Sequence, residues 1–266
     1  MKVLQTTLDL WPTRDELLAI FERKYRRTPV MGWGPKLRLD FDYFNPDDHY
    51  EAIVARLVKS DARWADIGCG RDIFPSNPDL ARELSERAEF VFGIDPDPNI
   101  RQNTLIREAF EGMVEDCVTP HRFDLITLRM VAEHIVDPDR TVAKLAELAK
   151  PGGLVVVYTP YKWAPVSVLA ALVPNRFHYG IKRLFWGGEE RDTFPTAFRL
   201  NTRKTLTGYF ERHGMAEVFF AHLDDCRTFN NFRRLNYMEL TVQRFLHSKG
   251  WNYPENCLLG VYRKGL

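Results

Sequence analysis

Trp64-Ala65-Asp66-Ile67-Gly68-Cys69-Gly70 decides how the rest of the chain is read. A short strand runs into Gly68, and two glycines one residue apart let the backbone turn sharply and approach a ligand closely. A helix start beyond such a turn directs free amides toward the same spot. An ordinary tight strand-to-helix turn uses the same residues, and dinucleotide enzymes use a similar one. This stretch departs from the GxGxxG fingerprint, because the residue three after Gly70 is Ile73 and no third glycine follows.

Working outward, strand and helix signals alternate across residues 61–160, the pattern of a parallel sheet with crossover helices. Asp79 to Arg87 is expected to be a helix, and Phe90 to Ile94 a second strand ending at Asp95. A carboxylate at that place can accept the hydroxyl hydrogens of a ribose; Asp97 reads as an exposed loop acid. Gly112-Met113-Val114-Glu115-Asp116 is expected to end a third strand. Phe123 to Leu128 is a fourth strand, leading to Arg129 and to Glu133-His134, where the next helix is expected to open. A helix over Thr141–Ala149 is closed by Lys150-Pro151-Gly152-Gly153, since Pro and Gly stop helices for backbone reasons. Leu154 to Tyr158 then reads as a buried central strand, apolar on both faces.

The flanks differ in texture. Residues 1–60 predict helices over Thr13–Arg26 and Asp48–Lys59, separated by a loop rich in Pro, Gly and aromatics; the second helix places Tyr50, Ile53, Val54 and Leu57 on one face. After residue 160 a Pro/aromatic segment precedes a helix (Thr202–His213), a strand (Glu217–Leu223), a helix (Phe232–His247) and a last strand (Cys257–Tyr262).

Lys and Arg number 37 against 36 Asp and Glu, a net of +1. So even a balance argues against a dedicated nucleic-acid binder, which needs basic excess to neutralise phosphates. The first residues lack the apolar core of a signal peptide, and the most apolar later stretch, Trp163 to Pro174, is broken by Pro165 and too short to span a bilayer. The four cysteines have no CxxC or CxxH pairing, so neither a disulfide framework nor a zinc site is indicated and a cytoplasmic setting is expected.

Asp66-x-Gly68-x-Gly70, Asp95, Phe123-Asp124 and Pro151-Gly152-Gly153, in this order and spacing, resemble the class I S-adenosylmethionine (SAM)-dependent methyltransferase family, particularly the group acting on small molecules. The resemblance runs from Trp64 to Pro160. It implies an α/β fold: a Rossmann-like, seven-stranded, mostly parallel sheet with helices on both faces. Residues 1–60 would form an N-terminal helical extension, 61–160 the SAM-binding core, 161–200 a cap insertion, and 201–266 the completion of the sheet with an inserted helix. It further implies that Asp66, Gly68, Cys69 and Gly70 surround the methionine part of the cofactor, with Asp95 and the adjoining Pro96 at the ribose. The adenine would lie against Met113, Val114 and Glu115, and Arg129 would approach the cofactor partly through main chain. Many members carry an Asp where this chain has Met113, so the Val114 main chain with Glu115 or Asp116 is the expected substitute. Asp72 stands in place of the usual third glycine.

Methyl transfer is an in-line displacement at a sulfonium carbon, so positioning supplies much of the acceleration. A hydroxyl acceptor must also lose a proton, and His134 is the candidate general base; a hydrogen-bonded histidine that only shapes the pocket is the alternative. Glu133-His134 lacks companions for a metal site, and none is expected. The expected acceptor is a hydroxyl, which a histidine base fits, on a small molecule that is amphipathic or anionic, because the 161–200 segment mixes aromatics with arginines. Tyr50, His178, Arg191 and Arg199 are the candidate acceptor contacts. The resemblance also leaves open an RNA or protein methyltransferase, and a SAM-binding scaffold without turnover.

Overall fold

Strand β1 (Arg63–Ile67) lies inside a seven-stranded sheet, next to the central strand, in the order β3-β2-β1-β4-β5-β7-β6. The computed structural model of the chain describes residues 8–25, 31–172 and 196–266. The other strands are β2 (Phe90–Asp95), β3 (Glu108–Glu111), β4 (Phe123–Arg129), β5 (Ala149–Pro160), β6 (Met215–Asp224) and β7 (Asn256–Lys264). The strands from β1 to β5 pair in parallel, and β7 runs antiparallel between β5 and β6. The expected mostly parallel sheet is therefore observed, with one reversed strand inserted near an edge.

Alternation along each strand assigns its residues to two layers. On β1, Trp64 joins one buried cluster while Ala65 and Ile67 join the other; on β5, Val156 and Tyr158 part from Val155 and Val157 in the same way. Helices α1 (Arg14–Tyr25), α3 (Pro46–Leu57) and α4 (Pro78–Arg87) cover the first face through Phe21, Ile53, Val54 and Leu84. Helices α5 (Pro138–Leu148) and α7 (Arg203–Arg212) cover the second through Val142, Leu145, Leu206 and Phe210. The N-terminal helices are thus one of the sheet's two covering layers.

Three helices start slightly earlier than the apolar periodicity indicates, at Pro46, Pro78 and Pro138. Proline is the first helical residue of α3, α4 and α5, directly after Asn45, Asn77 and Asp137. Its missing N–H is one of the helix's unpaired donors in any case. The Asn77 and Asp137 side chains accept the amides of Leu80 and Arg140 at 3.3 and 3.2 Å, and so cap their helices.

Four expectations need correction. The loop between the first two expected helices contains a further helix, α2 (Trp33–Asp40). Strand β3 stops at Glu111, so Gly112 and Met113 form a turn before a single 3₁₀ turn at Val114–Asp116. His134 does not open a helix: Ala132–His134 is a 3₁₀ turn, and α5 begins at Pro138. Lys150-Pro151-Gly152-Gly153 closes no helix by leaving the sheet; it belongs to β5, where a register shift opposite Phe123/Leu125 absorbs the extra residues. Gly153 is required there, since an added Cβ would lie 2.8 Å from the Phe123 carbonyl oxygen and 2.9 Å from that of Lys150. Between β5 and α7, helix α6 (Pro165–Leu172) is described; between β6 and β7 stands α8 (Arg233–Ser248).

Candidate active site

The turn from β1 is built from two different glycines. Gly68 (φ +72°) packs against Val131, whose side chain an added Cβ would overlap. Gly70 (φ +44°) faces open space, with Asp95 Oδ2 the nearest atom to an added Cβ at 3.9 Å. Both backbones lie in the left-handed region that glycine tolerates. The Gly70 amide donates to Asp95 Oδ2 and the Asp97 amide to Oδ1, each at 2.8 Å. Asn103 Nδ2 reaches back to the Gly70 carbonyl at 3.3 Å. One carboxylate thus ties the first turn to the second, and its remaining lone pairs can still accept hydroxyls. Burial pushes the Asp95 carboxyl upward, while the two amides pull it back.

Asp66 lies beneath the turn, 3% exposed. The Thr127 hydroxyl accepts from Trp64 Nε1 at 2.7 Å and donates to Asp66 Oδ1 at 2.6 Å. Burial raises the Asp66 carboxyl to about 7, against the lowering effect of Thr127 and Arg129. Cys69 is buried and would meet any side chain placed at Gly93, an added Cβ there being 2.8 Å from its sulfur; burial raises its thiol and disfavours the thiolate. Pro96 is exposed beside Asp95.

The adenine-side residues separate. Met113 is 48% exposed while Val114 is buried. Glu115 Oε1 accepts from Thr141 Oγ1 at 2.6 Å, and its Oε2 is buried without a hydrogen-bond partner. Arg129 ends β4 and donates through Nη2 to Asp47 Oδ1 at 3.1 Å, leaving Nε buried and unpartnered. The open side of Gly70, the spare acceptor capacity of Asp95 and these two unpartnered polar atoms suit a ligand with a polar ribose and a donor-bearing base.

Glu133 is buried and accepts from Thr159 Oγ1 at 2.8 Å; its main-chain oxygen takes the amides of Ala197 and Phe198 at 2.7 and 3.0 Å. Burial raises its carboxyl, against the lowering effect of His134 and Thr159. His134 stands beside it, Nε2 4.0 Å from Glu133 Oε1, with 31% of its side chain exposed. Of the candidate acceptor contacts, Tyr50 is fully buried and stacked on Tyr158 at 5.2 Å, inside the core instead of on an open wall. Arg199 is exposed and donates to the Val136 carbonyl at 2.6 Å. His178 and Arg191 lie outside the described residues. Among the described residues, no three or more His, Cys, Asp or Glu side chains cluster as a metal site would require, and no helix is long and apolar enough to cross a membrane.

The sequence pattern assigns no role to Thr127, Asn103 or Asp47. Thr127 was discoverable: pairing β4 with β1 in parallel sets it directly beside Asp66. The other two act across long sequence separations and carry no local signal.

A family model described as a methyltransferase domain matches residues 42–218, more than half of the chain. This chain belongs to the methyltransferase domain family. It is of the class I, SAM-dependent type, and its cofactor is S-adenosylmethionine. The methyltransferase is similar to the ubiquinone biosynthesis O-methyltransferase of Neisseria meningitidis serogroup A, 32% identical over 153 residues, which cover 53% of this chain and 57% of that one. It matches its counterpart from Nitrobacter winogradskyi at 27% identity, over 66% and 67% of the two chains. The Neisseria match leaves over two-fifths of that relative's length unmatched. Among solved structures, the complex between the Haloferax volcanii Trm112 methyltransferase activator and a methyltransferase supplies a chain that aligns at TM-score 0.55 and 16% identity, over 96% of this chain and 98% of that one. A SAM-dependent methyltransferase from Mesorhizobium loti aligns at 0.51 and 18%, over 83% and 100%. At such identities these two likenesses concern the fold alone.

Proposed function

We propose that this methyltransferase moves the methyl group of SAM to a hydroxyl oxygen of a small, amphipathic acceptor. The observation that carries the reading is His134, a partly exposed imidazole beside buried Glu133 and just beyond β4. A base there suits an acceptor that must lose a proton as its oxygen attacks the methyl carbon. The similarity to O-methyltransferases named for ubiquinone biosynthesis supports the oxygen preference. Asp95 and the Gly68–Gly70 turn would hold the ribose and methionine portions, and Arg129 and Glu115 offer polar atoms without partners at either side.

The test separates cofactor binding from chemistry. Calorimetry with SAM and S-adenosylhomocysteine is expected to show tight binding that Asp95→Ala weakens by tenfold or more, about 1.4 kcal/mol. Turnover is then followed with methyl-labelled SAM on a panel of phenols, catechols and amines. His134→Ala should lower the rate on hydroxyl acceptors by roughly 10²-fold or more while SAM affinity stays within twofold. Methylation of amines alone, or an undiminished rate in the His134 variant, would overturn the proposal.

A further inference from the structure

Helix α8 is inserted between β6 and β7 at the edge where the parallel strands end, the same edge that carries the Gly68–Gly70 turn. Its inner side is buried through Asn236, Glu239 and Leu240. Its outer side presents Leu235, Met238, Val242 and Phe245, which are 43%, 61%, 50% and 56% exposed. Their spacing of three, four and three residues makes one stripe along the helix. Phe232 (43%) and Trp251 (63%) extend the apolar surface at either end. Among the described residues, none of the four in the stripe belongs to a core cluster.

The exposed charges that the helix itself carries have one sign; Arg244 lies over the Phe41 ring at the end of α2 and donates to the Asp40 carbonyl at 3.3 Å. Arg233, Arg234, Arg244 and Lys249 are all exposed. The only acid between Phe232 and Trp251, Glu239, is 4% exposed and accepts from Asn236 Nδ2 at 3.1 Å. An apolar stripe on a helix whose own exposed charges are all cationic is the pattern of a helix that lies in the plane of a lipid surface. A second copy of the chain fits less well, because a twofold contact would set cationic border against cationic border. We propose that this face of α8 docks the protein on a bilayer surface that carries anionic headgroups. The stripe lies beyond residues 42–218, so the family match does not account for it. The proposal stands independently of the acceptor's identity; if both hold, the ligand edge of the sheet faces the membrane.

Flotation of the full chain with vesicles of phosphatidylcholine, with or without phosphatidylglycerol, tests it. Binding is expected on the mixed vesicles, at least tenfold weaker on phosphatidylcholine alone, and falling as added salt shortens the Debye length. Met238→Ser combined with Phe245→Ser should reduce binding about tenfold or more, with thermal midpoint and SAM affinity unchanged. Arg233→Glu with Arg234→Glu should remove the preference for anionic vesicles. Absence of binding, equal binding to both vesicle types, or retained binding in the stripe variant would overturn the proposal. So would a dimer in sedimentation velocity that the stripe variant dissociates.

Discussion

Protonation of Asp66 couples stability to pH, because its carboxyl is 3% exposed and raised to about 7 by burial. An unfolded aspartate ionises near 3.9. Between about pH 4 and 7 the unfolded chain has therefore released this proton while the folded one keeps it. Stability then falls with rising pH, at up to about 1.4 kcal/mol per pH unit for a full proton, and levels off above 7. Asp66→Asn removes that cost and keeps an oxygen to accept from Thr127 Oγ1. The variant's thermal midpoint is expected to gain on the parent progressively from pH 5 to pH 7.5, measured by circular dichroism. A difference independent of pH would show that Asp66 is not the titrating group. Its SAM affinity should fall, since the same carboxylate is proposed to meet the methionine part of the cofactor.

At the scale of the turn and its neighbouring elements, the two glycines do different work, and alanine separates them. Gly68→Ala meets both a left-handed backbone (φ +72°) and the Val131 side chain, so a loss of roughly 1–3 kcal/mol is expected in chemical denaturation. Gly70→Ala meets only the backbone term (φ +44°), because its Cβ would enter open space. It should cost less stability but more SAM affinity than its size suggests. Equal stability losses, or full affinity in Gly70→Ala, would contradict this division. The contrast also marks what was legible beforehand. Strands β1, β2 and β4 and the Asp66–Gly70, Asp95 and Phe123-Asp124 pieces could be read because each is a local pattern with a local backbone cause. Helix α2 could not, since its residues Trp33–Asp40 include Gly34 and Pro35 and leave none fully buried; its hold comes from tertiary contacts, with α8 far along the chain and from Arg38 over the Phe21 and Tyr25 rings of α1. The strand character of 150–153 was hidden for a related reason, because a glycine that fits between two carbonyls looks, in sequence, like one that stops a helix. Tyr50, expected as an acceptor contact, is fully buried and stacked on Tyr158 in the core.

Across the whole molecule, Asp47 joins parts that no local pattern connects. It sits in the first turn of α3, accepts from Arg129 at the end of β4, and pairs with Arg227 beyond β6. Arg227 also holds Asp225 through two nitrogens, at 2.7 and 2.6 Å. Burial alone would raise the Asp47 carboxyl, but Arg227 and Arg129 hold it down to about 2. Asp47→Ala leaves two guanidiniums facing each other without their shared anion. Breaking a buried pair costs roughly 3–5 kcal/mol, and the lower end applies here because the Arg129 and Arg227 side chains are 25% and 27% exposed. For a chain of this length that corresponds to a fall in thermal midpoint on the order of 10 °C. Asp47→Asn, which keeps an acceptor but no charge, should fall between the variant and the parent. The same substitution frees Arg129 at the end of β4, so SAM affinity should change along with the midpoint. Loss of stability with unchanged affinity would place the network wholly in the scaffold. A midpoint within a degree or two of the parent would mean that the N-terminal helices are held without this network, by apolar packing and by bonds such as that from Asn77 Nδ2 to Glu51 at 2.8 Å.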